Sequence, residues 1–451
     1  MRASITLSGL LLALLLPLPA AAGGPASLHD ILEAAWDEDS EWRAARKTLD
    51  ADRERMVQAR GGLFPTLDAS YSHMETDRRD RAEGTEEDYT SRSTSLSFAQ
   101  PLFRPAAWYQ YRRASAATSA SEAQFHQQRQ AFLLRVAEHY LDVLRAWDNL
   151  DAARAQERTI SRQLEQTRES FDVGTVAVTD VHEAEAAWDL ARVEVIVAES
   201  DFEVARDRLE AFTGRRWEQL AGLREEIPLE VPSPEDPREW QDMAREGNPE
   251  VVMARHGREA AQHESRERLS DQLPTMDFVA QYQDSELDGD AGGFTQFESD
   301  RRTRSYGIEV NMPLFRGGRL NSQRREAALR AESSSEDYRV AWRDAGQQAL
   351  ALHRRVSADT QRVQARRQSI RSAQSALRAT ESGYEVGTRN IVDLLNAQQN
   401  LFTARRDFAN ARYDYILNSL ELHAMAGILE EEELHLVNEW MSLEEAVEMY
   451  E

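Results

Sequence analysis

The chain has 451 residues, a formal net charge of -25, 29% charged residues, 8% aromatic residues and no cysteine. Acid in this surplus excludes a nucleic-acid partner, because phosphate binding needs a basic surface. The heavy charge and thin aromatic content argue against a compact enzyme core, and the missing cysteines exclude disulfides, thiolate metal sites and a lipid-acceptor cysteine.

Taken from the N-terminus, Arg2, an apolar run from Leu7 to Leu18 and the small residues Ala20 to Gly23 predict an export signal over residues 1–22. That run is too short for a comfortable membrane span, and no later stretch reaches the ~18 apolar residues of a transmembrane helix. Residues 28–60 predict a helix ending at Gly61-Gly62. Leu67, Ala69 and Tyr71 then alternate with Asp68, Ser70 and Ser72, and Leu96 and Phe98 alternate with Ser95, Ser97 and Ala99. This period of two predicts a β-hairpin over residues 66–100, with a polar loop from Glu75 to Thr90.

From Ala106 to Val173 there is neither Gly nor Pro. A helix of that length reaches on the order of 100 Å and needs a coiled-coil partner along its length. Val173-Gly174-Thr175 predicts a turn, and a descending helix runs to Gly214. Residues 215–236 read as a linker. The plan then repeats over residues 237–427. Met276, Phe278, Ala280 and Tyr282 face one way on one strand, and Tyr306, Ile308, Val310 and Met312 on the other, giving a hairpin over 275–312 with a polar loop from Ser285 to Asp300. A long helix follows from Arg319 to Ser382, interrupted only by Gly346, then a Val386-Gly387-Thr388 turn and a helix to Gly427. Residues 428–451 read as an acidic tail.

The two halves are copies. Phe171-Asp172-Val173-Gly174-Thr175 returns as Tyr384-Glu385-Val386-Gly387-Thr388, Pro101-Leu102-Phe103-Arg104 as Pro313-Leu314-Phe315-Arg316, and Phe64-Pro65-Thr66 as Leu273-Pro274-Thr275. The units span residues 23–214 and 237–427. A repeat this long implies two similar halves, or a larger symmetric object, rather than a solenoid.

Along the helices the apolar period is seven. Trp342, Ala349, Val356, Val363, Ile370, Leu377 and Tyr384 form one seam, and Val136, Val143, Leu150, Leu164 and Phe171 its first-half counterpart, with Glu157 as the polar exception. Val181, Trp188, Val195, Phe202 and Leu209 answer from the descending helix, as do Leu394, Leu401, Phe408, Tyr415 and Leu422 in the second half. A sustained heptad keeps one seam against a partner helix, so each half carries an antiparallel helical pair.

The hairpins are what a bare coiled-coil rod does not explain. Four strands of about nine to eleven residues have the length and the one-sided apolar pattern of membrane-crossing strands. Four cannot close a barrel, and open edges are not tolerated in lipid. Either the hairpins are soluble, or several chains each give four strands to one barrel with the polar loops outside the cell.

In this order and twice over, the Pro-Leu-Phe strand exits, the Val-Gly-Thr tips and the closing Leu422-His423-Ala424-Met425-Ala426-Gly427 resemble the TolC-type outer-membrane efflux and secretion channels. The resemblance spans the whole chain after the export signal. It implies a mostly α protein with membrane β structure: a homotrimer whose twelve-stranded barrel in outer-membrane lipid continues as a twelve-helix coiled-coil α-barrel across the periplasm. It further implies a periplasmic adaptor and an inner-membrane pump of the RND or ABC type as partners.

The same resemblance supplies site residues. Tyr384 and Arg389 after the second tip would bind Asp180 and Thr179 after the first in a closed gate; a phenol and a guanidinium both donate to carboxylate, giving a charge-assisted lock. Asp393 would line the pore constriction. Where the family's best-known member has a second aspartate one turn on, this chain has Asn396, so three copies give a ring of three carboxylates rather than six. Gly174, Thr175, Gly387 and Thr388 would meet the adaptor, although the glycines fit simple helix C-caps equally well.

No catalytic, metal or cofactor motif stands up. His182-Glu183 begins like a zinc-protease helix, but Ala186 replaces the second histidine. Asp284, Glu286, Asp288 and Gly289 imitate half a calcium loop, but Thr295 takes the place of the bidentate glutamate. Two rival readings are a periplasmic adaptor, which should carry one helical hairpin between soluble β-domains, and a soluble coiled-coil scaffold, which leaves the apolar strand faces without a purpose.

Overall fold

A computed structural model describes residues 24–80, 85–291 and 295–450. The expected export signal lies outside the described residues, as do the two hairpin tips. The first half runs α1 (Leu28–Glu38), α2 (Ser40–Gly61), β1 (Thr66–Asp80), β2 (Thr85–Phe103), α3 (Pro105–Asp172) and α4 (Val178–Thr213). After β3 (Gln219–Leu223) the second half repeats the order with α5 (Pro237–Gly247), α6 (Pro249–Ser270), β4 (Thr275–Ala291), β5 (Thr295–Asn311), α7 (Arg319–Glu385) and α8 (Ile391–Ala426). The chain closes with α9 (Glu431–Glu439) and β6 (Met441–Glu448).

The entry helix of each half is broken in two, which the periodicity does not reveal. The break falls at Asp39 and Asn248, residues in extended backbone that end one helix and cap the next. Asp39 accepts from Glu41 N at 2.8 Å and Asn248 from Glu250 N at 2.9 Å, satisfying donors that a helix start leaves open.

The long helices α3 and α7, of 68 and 67 residues, run the length of the helical body. The N-terminal part of α3 packs on α2 and α6, through Arg53–Glu122 at 3.1 Å and Arg113–Glu267 at 3.3 Å. Its C-terminal part packs on α4. The heptad seams are where this packing happens: Val136, Val143, Leu150, Leu164, Ala349, Val356 and Val363 are all buried, as are Phe202, Leu209, Leu394, Leu401, Phe408, Tyr415 and Leu422. Glu157, the polar interruption, accepts from Trp188 Nε1 at 2.7 Å, and Arg192 lies over the same indole at 4.8 Å. The half-buried carboxylate is therefore satisfied across the α3–α4 seam. Gly346, in the middle of α7, marks where Gln241 and Arg245 of α5 lie against that helix.

The four strands form one antiparallel sheet in the order β1-β2-β4-β5. They are longer than expected, 15 to 19 residues, because the ladder continues as far as Asp80–Thr85 and Ala291–Thr295, into stretches that read as polar loops. Backbone hydrogen bonds hold a ladder whatever the side-chain polarity; alternation of apolar residues reports only the stretch whose face is apolar. That face is continuous across the sheet: Leu67 pairs Phe98, Phe98 pairs Ala280 and Ala280 pairs Tyr306, with Phe278–Ile308 and Met276–Val310 below. It extends for about 20 Å along a strand and gives way beyond Tyr282 to charged rungs such as Asp284–Arg302 and Arg92–Glu286.

The residues read as a linker and an acidic tail build a third unit instead. β3 pairs β6, Leu220 facing Val447, and Ala26 bridges Leu220. Leu429, Leu434, Val437, Met441, Val447 and Met449 are buried. Tyr140 on α3 donates to Ala221 O at 2.5 Å, and Tyr413 and Arg412 on α8 meet Asp148 on α3 at 2.8 and 3.4 Å. Arg412 Nη1 also reaches Arg224 O at 2.9 Å, so the collar ties both halves together at mid-length. The glutamates 430–433 conceal this in the sequence; the apolar residues between and beyond them carry the packing.

Candidate functional site

The two α-helical tips lie together at the end of the body farthest from the sheet, and they are chemical copies. At the first, Gly174 adopts φ +80° and its N–H donates to Phe171 O at 2.8 Å; Thr175 donates from N and Oγ1 to Ser170 O at 2.9 and 2.8 Å. At the second, Gly387 adopts φ +74° and donates to Tyr384 O at 3.0 Å; Thr388 donates from N and Oγ1 to Gly383 O at 2.8 and 3.0 Å. Positive φ is the reason for glycine at both places. Nothing lies within 4 Å of where a Cβ would stand on either one. Beside them Val173 and Val386 are 75% and 74% exposed, an apolar knob on each tip.

Past the turns the copies diverge. α4 starts at Val178 without a side-chain cap, with Asp180 in its first turn. α8 starts with a capping box: Asn390 accepts from Asp393 N at 2.8 Å, and Asp393 accepts from Asn390 N at 3.5 Å. Arg389 Nη1 stands 3.7 Å from Asp393 Oδ2. Both side chains are well exposed, so this pair is worth at most about 1 kcal/mol. The stem of Arg389 folds over Gly383, where a Cβ would stand 2.8 Å from Arg389 Cγ. The first half has Ser170 for Gly383, Val176 for Arg389 and Ala177 for Asn390. Sequence reasoning passed over Gly383; aligning the two halves position by position exposes it and the cap at Asn390.

The structure places the expected gate residues at one end of the molecule but does not join them. Among the described residues, no hydrogen bond or ion pair links Tyr384 or Arg389 to Thr179 or Asp180. Tyr384 of α7 packs instead against a cluster of Ile160, Ala191, Ile391, Leu394 and Leu395 drawn from α3, α4 and α8. Asp393 and Asn396 occupy neighbouring turns of α8, half-buried and exposed respectively. No group of three or more metal-ligating side chains occurs among the described residues, and no helix there is long and apolar enough to cross a membrane.

Comparison with known proteins agrees with this architecture. The family model described as outer membrane efflux protein matches residues 31–215 and again 240–428, one copy per half. The chain is 30% identical over 414 residues to the outer membrane protein TolC of Vibrio cholerae, covering 91% of this chain and 93% of that one. It is 32% identical over 420 residues to the alkaline protease secretion protein AprF of Pseudomonas aeruginosa, covering 91% and 86%. Among solved structures, CusC superimposes with a TM-score of 0.77 at 15% identity, covering 89% of this chain and 92% of that one. The outer membrane protein VceC of Vibrio cholerae gives 0.75 at 20% identity, covering 89% and 97%. The chain thus belongs to the outer membrane efflux protein family of TolC-type channels, and it is an outer-membrane channel of the efflux and secretion type rather than a member of an enzyme family.

Proposed function

We propose that three copies of this chain form the exit duct of a tripartite efflux pump or type I secretion system. Their twelve strands close a barrel in the outer membrane, and the helices extend it through the periplasm as a tunnel. Substrates cross passively; energy comes from an inner-membrane pump of the RND or ABC type, coupled through a periplasmic adaptor that engages Gly174, Thr175, Gly387 and Thr388 at the tips. The observation that carries this reading is the sheet itself: four strands with a continuous apolar face and two open edges, on a helical body about 100 Å long. Unpaired edges are not stable in lipid, and three such sheets remove them all.

In this reading Arg389 exchanges its weak pairing with Asp393 for Asp180, and Tyr384 turns to Thr179 or Asp180, when the tips close. A lock of one or two charge-assisted bonds at a wet tip is worth about 1–3 kcal/mol, an amount adaptor binding can outweigh. The adaptor alternative loses ground because this chain has two helical pairs and four amphipathic strands.

Cell fractionation tests the reading. The expected result is a heat-sensitive trimer extracted from the outer membrane by detergent; a soluble periplasmic monomer would overturn it.

A further inference from the structure

Within one chain the two hairpins meet along the β2–β4 seam, where Ala99 faces Val279, Ser97 faces Gln281 and Ser95 faces Gln283. At the base of this seam Arg104 holds Asp277 by a hydrogen bond from Nη2 to Oδ2 at 2.8 Å, with Nε also 2.8 Å from Oδ1 as an ion-pair contact. Asp277 lies on the polar face of its strand and its side chain is only 15% exposed. A charge-assisted hydrogen bond of this kind is stronger than one between neutral groups.

The duplication supplies a second copy of this seam, split between the open edges. An offset of 209 residues carries Thr66 of β1 to Thr275 of β4, and one of 212 carries Ala99 of β2 to Asn311 of β5. The structure obeys both offsets, since Thr66 faces Ala99 in the first hairpin and Thr275 faces Asn311 in the second. The same shifts turn Arg104 into Arg316 and Asp277 into Asp68. Arg316 follows the β5 edge and Asp68 sits on the β1 edge. Both are exposed, and among the described residues neither side chain has a hydrogen-bond or ion-pair partner. The apolar residues of these edges are uncovered too: Tyr306 is 84% exposed and Tyr71 68%.

Resting on the trimeric reading above, we propose that β5 of one copy pairs antiparallel with β1 of the next in the register of the internal seam, closed by an Arg316–Asp68 ion pair between copies. Asn311 then faces Ser70, Glu309 faces Ser72 and Gly307 faces Met74. Each shift preserves sidedness: Val310 faces Tyr71 and Met312 faces Ala69 on the apolar face, while Ile308 and Tyr306, on that same face, stand opposite His73 and Glu75. A slip by one residue would turn one strand's apolar set into the lumen. The ion pair selects among the slips by two, which sidedness alone permits.

The absence of natural cysteines makes a direct test available. Directly opposed residues on antiparallel strands have Cα atoms about 4.5–5.5 Å apart, within disulfide range, whereas diagonal neighbours stand about 7–8 Å apart. The double variant Ser70→Cys/Asn311→Cys is expected to oxidise into covalent dimers and trimers on denaturing gels. The slipped pairs Ser72→Cys/Asn311→Cys and Ser70→Cys/Glu309→Cys are expected to link only weakly. Native mass in detergent, measured on the same samples, reports assembly separately. Trimers in which a slipped pair links preferentially, or in which no pair links, overturn the register while leaving the trimer standing; monomers without links overturn both. For the ion pair, Arg316→Asp and Asp68→Arg should each lower the temperature at which the trimer dissociates in detergent, and their combination should restore it. Unchanged single variants would show that the pair does not form.

Discussion

At the residue scale, the polar exceptions in an apolar pattern are where the chain records its differences between halves. Glu157 interrupts the first heptad seam, and Trp188 across it supplies the matching donor. The second half solves the same position with Ile370 and Leu401, an apolar pair. Replacing Trp188→Phe leaves the half-buried Glu157 carboxylate without that donor and should destabilise the chain by about 1–3 kcal/mol, read as a lower thermal midpoint by circular dichroism. Copying the second-half solution, Glu157→Ile with Trp188→Leu, should recover most of the loss; no recovery would mean the hydrogen bond is not what the pair contributes. Asn396 is a second such exception. In the proposed trimer, Asp393 one turn away would give a ring of three carboxylates, and Asn396→Asp would make six. Block of single-channel current by a trivalent cation should then tighten by on the order of tenfold, since site charge sets cation affinity. Block in the natural chain as tight as in the variant would remove Asp393 and Asn396 from the constriction.

At the element scale, the long helices and both hairpins were legible because their signals are long: 68 residues without Gly or Pro, and apolar alternation repeated on four strands. What stayed hidden was decided by short or non-local contacts. The breaks at Asp39 and Asn248 depend on single capping bonds. The extra length of the strands depends on backbone pairing that polar side chains do not announce. The collar of β3, β6 and α9 depends on pairing between residues more than 200 positions apart, which no local pattern encodes. At the tips, the duplicated turn residues were legible from their offset, but the Arg389–Asp393 pairing and the seat of Arg389 on Gly383 emerge only from three-dimensional packing.

One element joint also carries a pH dependence. His353 on α7 is 5% exposed, lies near Trp240 of α5, and has neither ring nitrogen hydrogen-bonded. Burial holds its imidazole below the ordinary value near 6.5, against smaller upward pulls from Asp236 and from the nearby Pro234 backbone. The folded chain therefore resists a proton that the unfolded chain accepts. The stability this histidine contributes is complete above pH 6.5 and is lost as pH falls from there toward the lower folded-state value. Thermal unfolding from about pH 7 to about pH 5 should show that acid-side loss, and His353→Leu should flatten it. An identical slope in the variant would assign the loss to other groups.

At the scale of the whole molecule, duplication provides both a near-symmetric wall and its exceptions. The hairpins obey their offsets so closely that the internal β2–β4 seam is a template for the missing one. The tips depart from them at Val176/Arg389, Ala177/Asn390 and Ser170/Gly383, which leaves the second helical pair with a cation, a side-chain cap and a glycine seat that the first pair lacks. In the proposed trimer, a wall built from such halves would be nearly twelvefold in its barrel and alternating at the mouth formed by the tips, where the proposed gate requires one pair of helices to differ from the other. Conductance of the purified protein in planar lipid bilayers tests this account most directly. It predicts discrete, long-lived single-channel steps, enlarged when Arg389→Ser removes the gate cation; protein that inserts as an intact trimer yet passes no current in either form would contradict it.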